Sequence, residues 1–427
     1  MQSGMKRVLV ISYYWPPSGG SGVQRWVKMC KYLPKYGWTP VVYTPENPAL
    51  TATDSTLSND VSPELEVLRH PILEPGRLAS GTTAAQVTPI NGQKKNLKQR
   101  LMMWVRGNLF IPDPRVTWVG PSVRCLERYL KDHPVDAVVS TGPPHSMHLI
   151  ARRLSRKYSL PWIADFRDPW TKMFYFKHLR LSALARKWHE ALEQAVLDDA
   201  SAVVAVSPLV QRDFRAMTRT RVELITNGFD RSDFEGRVEP FRNFTIVHAG
   251  LFAADGNPVE FWTALGALCK MLPALDKDLG IVLCGKTDAA VLQAIEAAGL
   301  ASKLKNLGYV DHPAAVELMR KASMLLLPLR REPEYKATLP GKLFEYLASG
   351  RPILGIGQKD GAMASILSST RSGVCFDWDE GQAMAEYVEK SYRAFCKGEL
   401  LANDAKLEAY TREGLARRYA ALLDELC

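Results

Sequence analysis

The sequence predicts an α/β protein made of two units, each built on a parallel β-sheet. Short apolar runs of strand length alternate with stretches of helical periodicity along the chain, and this alternation is typical of βαβ units. The chain has 427 residues, of which 46% are hydrophobic, so it is long enough for two separate cores. No apolar run approaches the roughly 20 residues that a membrane-spanning helix needs.

The first unit is expected over residues 1–235. Its predicted strands are apolar runs bounded by turn residues: 6–12, 40–43, 137–140, 162–164 and 202–206. Its predicted helices have apolar residues at helical spacing: 23–36, 148–158 and 179–198. The stretch 79–117 has the weakest regular signals in this unit.

The second unit is expected over residues 236–407, with a further helix at 411–426. Its predicted strands are 244–249, 281–284, 304–310, 324–329, 352–356 and 373–376, and its predicted helices are 258–271, 289–298 and 313–321. Both units are therefore Rossmann-like. In two facing domains of this kind, ligands bind in the cleft at the carboxyl ends of the strands.

The charge distribution separates the two halves. Residues 1–232 hold 32 Lys and Arg against 19 Asp and Glu, whereas the remainder holds 23 against 26. A basic half suits an anionic membrane surface or an anionic substrate. No helix-turn-helix, RNP or zinc-finger pattern is present, so no nucleic-acid partner is expected. The seven scattered cysteines form no metal-ligand spacing, and no signal peptide is recognised; these features predict a cytoplasmic, reduced, metal-free protein.

The segment 93–110 mixes five basic residues with leucines, methionines, Trp104 and Phe110. A basic helix with aromatic residues can lie on an anionic membrane. A surface helix that packs its apolar side on the domain gives the same pattern, and the sequence favours this second interpretation.

The most informative motif is the segment 340–354, Pro-Gly-Lys-Leu-Phe-Glu-Tyr-Leu-Ala-Ser-Gly-Arg-Pro-Ile-Leu. It predicts a short helix that ends at Gly350 and is followed by a strand. Lys342 and Glu345 then lie near the helix N-terminus, where a phosphate is stabilised and Glu345 can accept hydrogen bonds from two ribose hydroxyls. An ordinary α/β crossover would have the same glycine at the end of its helix and the same proline after it. Arg330, Arg331 and Lys336 add cations suited to a diphosphate, although a solvated charge run gives the same pattern.

Two groups in the first unit are candidates for chemistry. The loop with Gly19, Gly20 and Gly22 can present backbone N–H groups to a phosphate or carboxylate, or it can be a simple tight turn. The second group follows two predicted strands and consists of His145, Asp165, Arg167 and Asp168. These residues offer a general acid or base and a cation for a phosphate leaving group, whereas an ion-pair lattice that holds the loop is the structural alternative.

Taken together, the chain resembles the GT-B-fold glycosyltransferases of family 4, in particular the bacterial surface-polysaccharide type. The resemblance rests on motifs in a fixed order: Tyr-Tyr-Trp-Pro-Pro at 13–17, Ser-Thr-Gly-Pro-Pro-His at 140–145, Asp-Phe-Arg-Asp-Pro-Trp at 165–170, Asn-Gly-Phe-Asp at 227–230, Leu-Gly-Tyr-Val at 307–310 and the segment 342–352. It implies that residues 408–427 pack back on the first domain, which would bind the acceptor. The second domain would bind the nucleotide-sugar.

The resemblance also assigns donor-binding residues. Glu345 would hold the ribose, and Gly308, Tyr309 and Val310 would lie against the base. Lys342, assisted by Lys336 and Arg330, would meet the diphosphate, with Thr338 and Gly250 beside it. Two features depart from the family: Ala337 stands where a carboxylate contacts the donor sugar, and no basic residue follows Gly250 until Lys270.

The activity so implied is a retaining, metal-independent transfer of a sugar from a nucleotide-sugar to a glycan or a polyprenyl-diphosphate-linked acceptor. A UDP-sugar is the expected donor, with no further cofactor. The expected location is the cytoplasm, with the inner face of the cytoplasmic membrane as a candidate docking surface. A nucleotide-sugar epimerase and a noncatalytic nucleotide- or glycan-binding scaffold remain alternatives, and an NAD-dependent dehydrogenase is disfavoured by the incomplete glycine fingerprint.

Overall fold

The computed structural model describes residues 4–19, 21–49, 56–74, 97–173, 176–399 and 407–427. The chain divides into two compact units, Met1–Thr226 with Arg412–Cys427, and Asn227–Thr411. The sequence placed these limits at 235 and 408. The difference arises because Phe229 forms a β-bridge with Thr411 and Arg231 pairs with Glu408, so both segments belong to the second unit.

The first unit has a parallel sheet of seven strands in the order β3-β2-β1-β4-β5-β6-β7. The strands are β1 (Lys6–Ile11), β2 (Trp38–Pro45), β3 (Glu66–His70), β4 (Ala137–Gly142), β5 (Trp162–Phe166), β6 (Ala202–Ala205) and β7 (Val222–Leu224). The central strands are apolar runs because both of their faces are covered by helices. The predicted strands of this unit are confirmed, and β3 and β7 are additional.

The α-helices of the first unit are α1 (Ser21–Tyr32), α2 (Leu97–Asn108), α3 (Val116–Asp132), α4 (Ser146–Tyr158), α5 (Ala183–Asp199) and α6 (Pro208–Met217). Helix α5 begins later than predicted because the Ser182 hydroxyl accepts a hydrogen bond from the Ala185 amide at 3.2 Å, an N-cap interaction. Helix α6 has a proline at its first position, where its missing N–H costs nothing.

The C-terminal helix α14 (Arg412–Leu426) packs on α1 in the first unit. Its Tyr419 meets Trp26 of α1 edge to face, with ring centroids 5.2 Å apart. Leu415, Ala416 and Leu423 join the same buried core as the β1 and β4 side chains. The helix therefore returns to the first unit, as the family resemblance predicts.

The second unit has a parallel sheet of six strands in the order β10-β9-β8-β11-β12-β13. The strands are β8 (Thr245–Ala249), β9 (Gly280–Cys284), β10 (Leu304–Gly308), β11 (Met324–Pro328), β12 (Ile353–Ile356) and β13 (Gly373–Phe376). The helices are α7 (Val259–Met271), α8 (Pro273–Asp278), α9 (Ala289–Ala297), α10 (His312–Lys321), α11 (Gly341–Ala348), α12 (Ala362–Thr370) and α13 (Gly381–Cys396).

Both sheets have the strand order of a doubly wound α/β fold, which confirms the predicted fold class. The order reverses between β1 and β4 in the first unit and between β8 and β11 in the second. Ligands bind such sheets beyond the carboxyl ends of the strands at the reversal. Within the described residues, no helix is long and apolar enough to cross a bilayer.

Candidate active site

Helix α11 is fixed above the strand reversal of the second unit. The buried Tyr346 hydroxyl accepts a hydrogen bond from the Ala249 amide at 2.8 Å and donates one to the Leu326 carbonyl at 3.4 Å. These bonds hold the helix to the end of β8 and to the middle of β11. Lys342 and Glu345 are three residues apart and therefore project from one side of the helix.

The Lys342 amine lies over the loop that follows β8. Its Nζ is 3.4 Å from the Leu251 carbonyl oxygen and 3.0 Å from the position that a Cβ on Gly250 would occupy. Burial lowers the pKa of Lys342 to about 8. An amine with a pKa of about 8 is mostly charged at neutral pH and becomes mostly neutral when the pH rises above that value.

His248 supports this amine from the end of β8. Its Nδ1 donates a hydrogen bond to the Leu326 carbonyl at 3.0 Å, and its Nε2 lies 3.5 Å from Lys342 Nζ. Burial, with the charge of Lys342, lowers the pKa of His248 to about 3. The imidazole is therefore neutral and accepts a hydrogen bond from the lysine through Nε2.

Glycines bring the strand ends close together below Lys342. Gly250 and Gly285 have φ values of +97° and +120°, and a Cβ on Gly285 would lie 2.4 Å from the Gly250 oxygen. The Gly285 amide donates to the Gly308 carbonyl at 2.6 Å. Other residue types would be strained at the first two positions. Because these glycines have no side chains, backbone atoms lie close together at the ends of β8, β9 and β10.

Glu345 lies next to the loop that follows β10. Its Oε1 accepts a hydrogen bond from His312 Nε2 at 3.0 Å, and its side chain is 14% exposed. His312 begins α10, two residues after the 308–310 segment predicted to contact the base. Tyr309 in that segment is 85% exposed. The predicted ribose and base residues are thus brought to one edge of the sheet.

The other predicted cations already have acidic partners. Arg330 pairs with Asp255 at 3.1 Å, and Lys336 pairs with Asp360. Arg331 similarly pairs with Glu260 at 3.4 Å. Within the part of the chain that the structure describes, Lys342 has no carboxylate within salt-bridge distance. Thr338 lies just before α11 and donates its amide to the Tyr335 carbonyl.

A second cluster of predicted residues surrounds the ends of β4 and β5 in the first unit. Arg167 donates to the Gly22 carbonyl at 3.3 Å and to the Pro143 carbonyl. Loss of hydration raises the pKa of the adjacent Asp168 to about 6, against the opposing effect of Arg167. Gly22 of the glycine loop and Arg167 are therefore in contact, a proximity that the sequence did not predict. Gly20 lies outside the described residues, and Gly19 precedes it.

His145 is buried in the same cluster. Its ring stacks on Trp170 with centroids 4.6 Å apart and planes 4° from parallel. Neither ring nitrogen has a hydrogen-bond partner among the described residues. Burial, with the charges of His148 and Arg167, holds the pKa of His145 well below its ordinary value. The neutral ring can act as a base only toward a group that reaches this interior position.

Asp165 requires a revised assignment. Its carboxylate is fully buried and accepts two hydrogen bonds from Arg25, at 2.7 and 3.1 Å, and one each from Trp26 and Thr141. Burial alone would raise its pKa, but Arg25 and these hydrogen bonds lower it below its ordinary range. Arg25, rather than Arg167, is its ion-pair partner. We therefore assign Asp165 to the fold of the first unit instead of to acid–base chemistry.

Comparison with known protein families agrees with both units. A model described as "Glycosyl transferase 4-like domain" matches residues 19–228, and one described as "Glycosyl transferases group 1" matches residues 246–393. The chain is a GT-B glycosyltransferase of the family-4 type. No curated protein sequence matches it.

Solved structures share the fold of this glycosyltransferase at low sequence identity. Anabaena HepE, solved in complex with UDP-glucose, is 15% identical with a TM-score of 0.61. The match covers 98% of this chain and 100% of that chain. WaaG, described as involved in lipopolysaccharide biosynthesis, is 15% identical with a TM-score of 0.56 and coverage of 97% and 99%. A putative UDP-N-acetylglucosamine 2-epimerase from Listeria monocytogenes is 10% identical with a TM-score of 0.54 and coverage of 98% and 96%.

Sequence reasoning missed two histidines of this glycosyltransferase. His248 interrupts the otherwise apolar run Thr-Ile-Val-His-Ala of β8, and this interruption is a signal that points to a polar strand end. His312 gives no comparable signal, because its contact with Glu345 spans 33 residues of sequence. In the described ranges, no group of three or more His, Cys, Asp or Glu side chains is arranged to hold a metal ion.

Proposed function

We propose that this glycosyltransferase transfers a sugar from a UDP-sugar to a glycan or polyprenyl-diphosphate-linked acceptor. The observation that carries the proposal is the presence of two groups on one side of α11: Lys342, which has no carboxylate partner among the described residues, and Glu345. The lysine would stabilise the diphosphate leaving group, and the carboxylate would accept hydrogen bonds from the ribose hydroxyls. The UDP-glucose complex of HepE supports uridine as the base.

We propose that the first unit binds the acceptor. Asp168, with its raised pKa, and Arg167 are charged groups suited to hold a hydroxyl or a phosphate of the acceptor, with His145 behind them. We further propose that transfer retains anomeric configuration and proceeds without a metal. A role in bacterial surface-polysaccharide synthesis is supported by the fold shared with WaaG, a glycosyltransferase involved in lipopolysaccharide biosynthesis.

Thermal stabilisation tests the donor assignment. A ligand that binds only the native state raises the melting temperature. At a hundredfold excess over Kd it adds about 2.7 kcal/mol to the free energy of unfolding. UDP is expected to raise it more than GDP, CMP, ADP or NAD. A shift with NAD alone would contradict the proposal and favour a dehydrogenase.

Turnover assays then separate transfer from its rivals. UDP-glucose, UDP-galactose and UDP-N-acetylglucosamine are incubated with the protein, with and without glycan or polyprenyl-diphosphate acceptors, and the products are analysed by NMR for sugar identity and anomeric configuration. Transfer predicts UDP release that depends on the acceptor. Conversion of the donor without an acceptor would favour the epimerase, for which the Listeria neighbour is the supporting observation. UDP binding without turnover of any donor would favour a scaffold, which the absent carboxylate at Ala337 makes conceivable.

A further inference from the structure

Two helices of the first unit expose large apolar side chains to solvent. The residues are Leu101, Trp104 and Leu109 from α2 and its C-terminal end, and Leu184 and Trp188 from α5; they are 62%, 42%, 65%, 75% and 58% exposed. We call this set the α2/α5 face. Large contiguous apolar exposure on a folded protein usually marks a surface that contacts a membrane or another molecule.

The two helices are joined at one junction. The Asn108 side-chain amide donates to the Arg180 carbonyl at 3.3 Å, and its oxygen accepts from the Ser182 amide at 2.8 Å. His189 of α5 lies 3.3 Å from the Gly107 carbonyl oxygen through Nε2. Leu109, Leu184 and Trp188 each lie within two residues of a group in this junction, whereas Trp104 and Leu101 lie one and two helical turns from it along α2.

The core of the first unit does not need these exposed residues. Helix α2 already turns Met103 and Gly107 inward, and α5 turns Ala185 and His189 inward. Trp104 lies between Met103 and Gly107, and Trp188 lies between Ala185 and His189. Leu101, Leu109 and Leu184 lie within two residues of one of these buried positions. Each helix therefore carries apolar groups on its outer side in addition to its packed side, which ordinary amphipathic packing does not explain.

The charge around this face is mainly positive, although Asp113 and the exposed Glu190 follow directly after the two ranges considered. Residues 97–112 and 176–189 contain seven basic residues and no Asp or Glu: Lys98, Arg100, Arg106, Lys177, Arg180, Arg186 and Lys187. Arg100, Arg180, Arg186 and Lys187 are exposed. Tryptophan and leucine with flanking lysine and arginine are the combination found where proteins enter the headgroup layer of an anionic bilayer.

We propose that the α2/α5 face docks on the surface of an anionic phospholipid bilayer. Trp104 and Trp188 lie at the level of the headgroups, the leucines reach the acyl boundary, and the basic side chains contact lipid phosphates. The sequence left membrane contact by the segment 93–110, with Lys94, Lys95 and Lys98 among its basic residues, as the less favoured alternative to packing on the domain. Lys94 and Lys95 lie outside the described residues, and the proposal uses neither of them. The docking does not depend on the donor chemistry proposed above, so the two fail separately.

Vesicle flotation tests the docking. The full chain is mixed with vesicles of phosphatidylcholine, with and without phosphatidylglycerol, at low and high salt. Binding is expected only with phosphatidylglycerol, and it is expected to weaken with salt because exposed charges are screened. The double variants Arg186→Glu/Lys187→Glu and Trp104→Ala/Trp188→Ala are each expected to weaken binding about tenfold or more. The matched control Lys390→Glu/Lys397→Glu changes two exposed lysines of the second unit by the same charge and is expected to bind like the wild type.

Melting temperature and stabilisation by UDP are measured for each variant, and both are expected to equal the wild-type values. Quenching of tryptophan fluorescence by brominated lipid should fall in the Trp104→Ala/Trp188→Ala variant. The proposal is overturned if the protein fails to float with phosphatidylglycerol vesicles at low salt, or if the control variant weakens binding as much as the face variants. Flotation that is equal with pure phosphatidylcholine would also overturn the electrostatic part.

Discussion

Asp165 of the first unit and Lys342 of the second are both charged groups near the ends of parallel strands, but their surroundings differ. Four hydrogen bonds from the protein satisfy Asp165, and Arg25 neutralises it. Among the described residues, Lys342 has hydrogen-bond contacts only with a neutral imidazole and a carbonyl oxygen, and the charge of Glu345 acts on it without a direct ion pair. A charge that the protein satisfies completely holds the fold together, whereas one that it leaves without a direct ion-pair partner is available to a ligand.

The largest expected effect is a loss of stability when Asp165 is substituted. The substitution Asp165→Asn leaves the Arg25 guanidinium buried without a counter-charge, and removal of one partner of such a pair costs about 3–5 kcal/mol of unfolding free energy. Chemical denaturation measures this loss. The matched control is Asp213→Asn, because Asp213 pairs with Lys172 at the surface, where a pair contributes about 1 kcal/mol or less. Equal losses in the two variants would contradict the comparison.

The second largest expected effect is a loss of UDP affinity when Glu345 is substituted. Glu345→Ala is expected to weaken UDP binding about a hundredfold without loss of stability, because hydrogen bonds to a charged group contribute about 1.5–3 kcal/mol each. Isothermal titration calorimetry measures the affinity. His312→Ala removes only the group that holds the carboxylate and is expected to cost less. Glu296→Ala on the exposed side of α9 is the control and should bind UDP like the wild type; an undiminished affinity of Glu345→Ala would rule out the ribose role.

The smallest effect is a pH dependence that depends on Lys342. Its pKa of about 8 means that the diphosphate-binding charge is present below this pH and is lost as pH rises through it. UDP affinity is therefore expected to fall by up to about tenfold per pH unit above that value. Lys342→Arg keeps its charge and should remove the dependence. Lys336→Met changes a lysine that already pairs with Asp360 and should leave the pH profile unchanged; a flat wild-type profile would contradict the assignment.

Strands with uninterrupted apolar runs could be predicted from the sequence, whereas short strands with charged residues could not. β1, β9 and β11 each have three or more consecutive aliphatic residues. β3 reads Glu-Val-Leu-Arg-His and β7 only Val-Glu-Leu, so neither has a run long enough to be recognised. β3 is an edge strand and β7 closes the other edge, where polar residues are tolerated.

The candidate site could be predicted only as far as local sequence determines it. Lys342 and Glu345 are three residues apart in one helix, so their common side follows from helical geometry. The partner of Asp165 lies 140 residues away, and the bond between Glu345 and His312 spans 33 residues. Such pairings depend on how strands and helices are arranged in three dimensions, and a single sequence contains no local signal of them.

Helix α14 makes the two units unequal during synthesis. It follows the second unit along the chain, yet Tyr419 and Leu423 complete the core of the first. On the ribosome, the second unit is a continuous segment that can fold as soon as Thr411 has emerged. The first unit must wait with part of its core open until the helix is made. A fragment spanning 227–411 should therefore fold independently, whereas a fragment that stops at 226 should expose the apolar side of α1 and tend to aggregate.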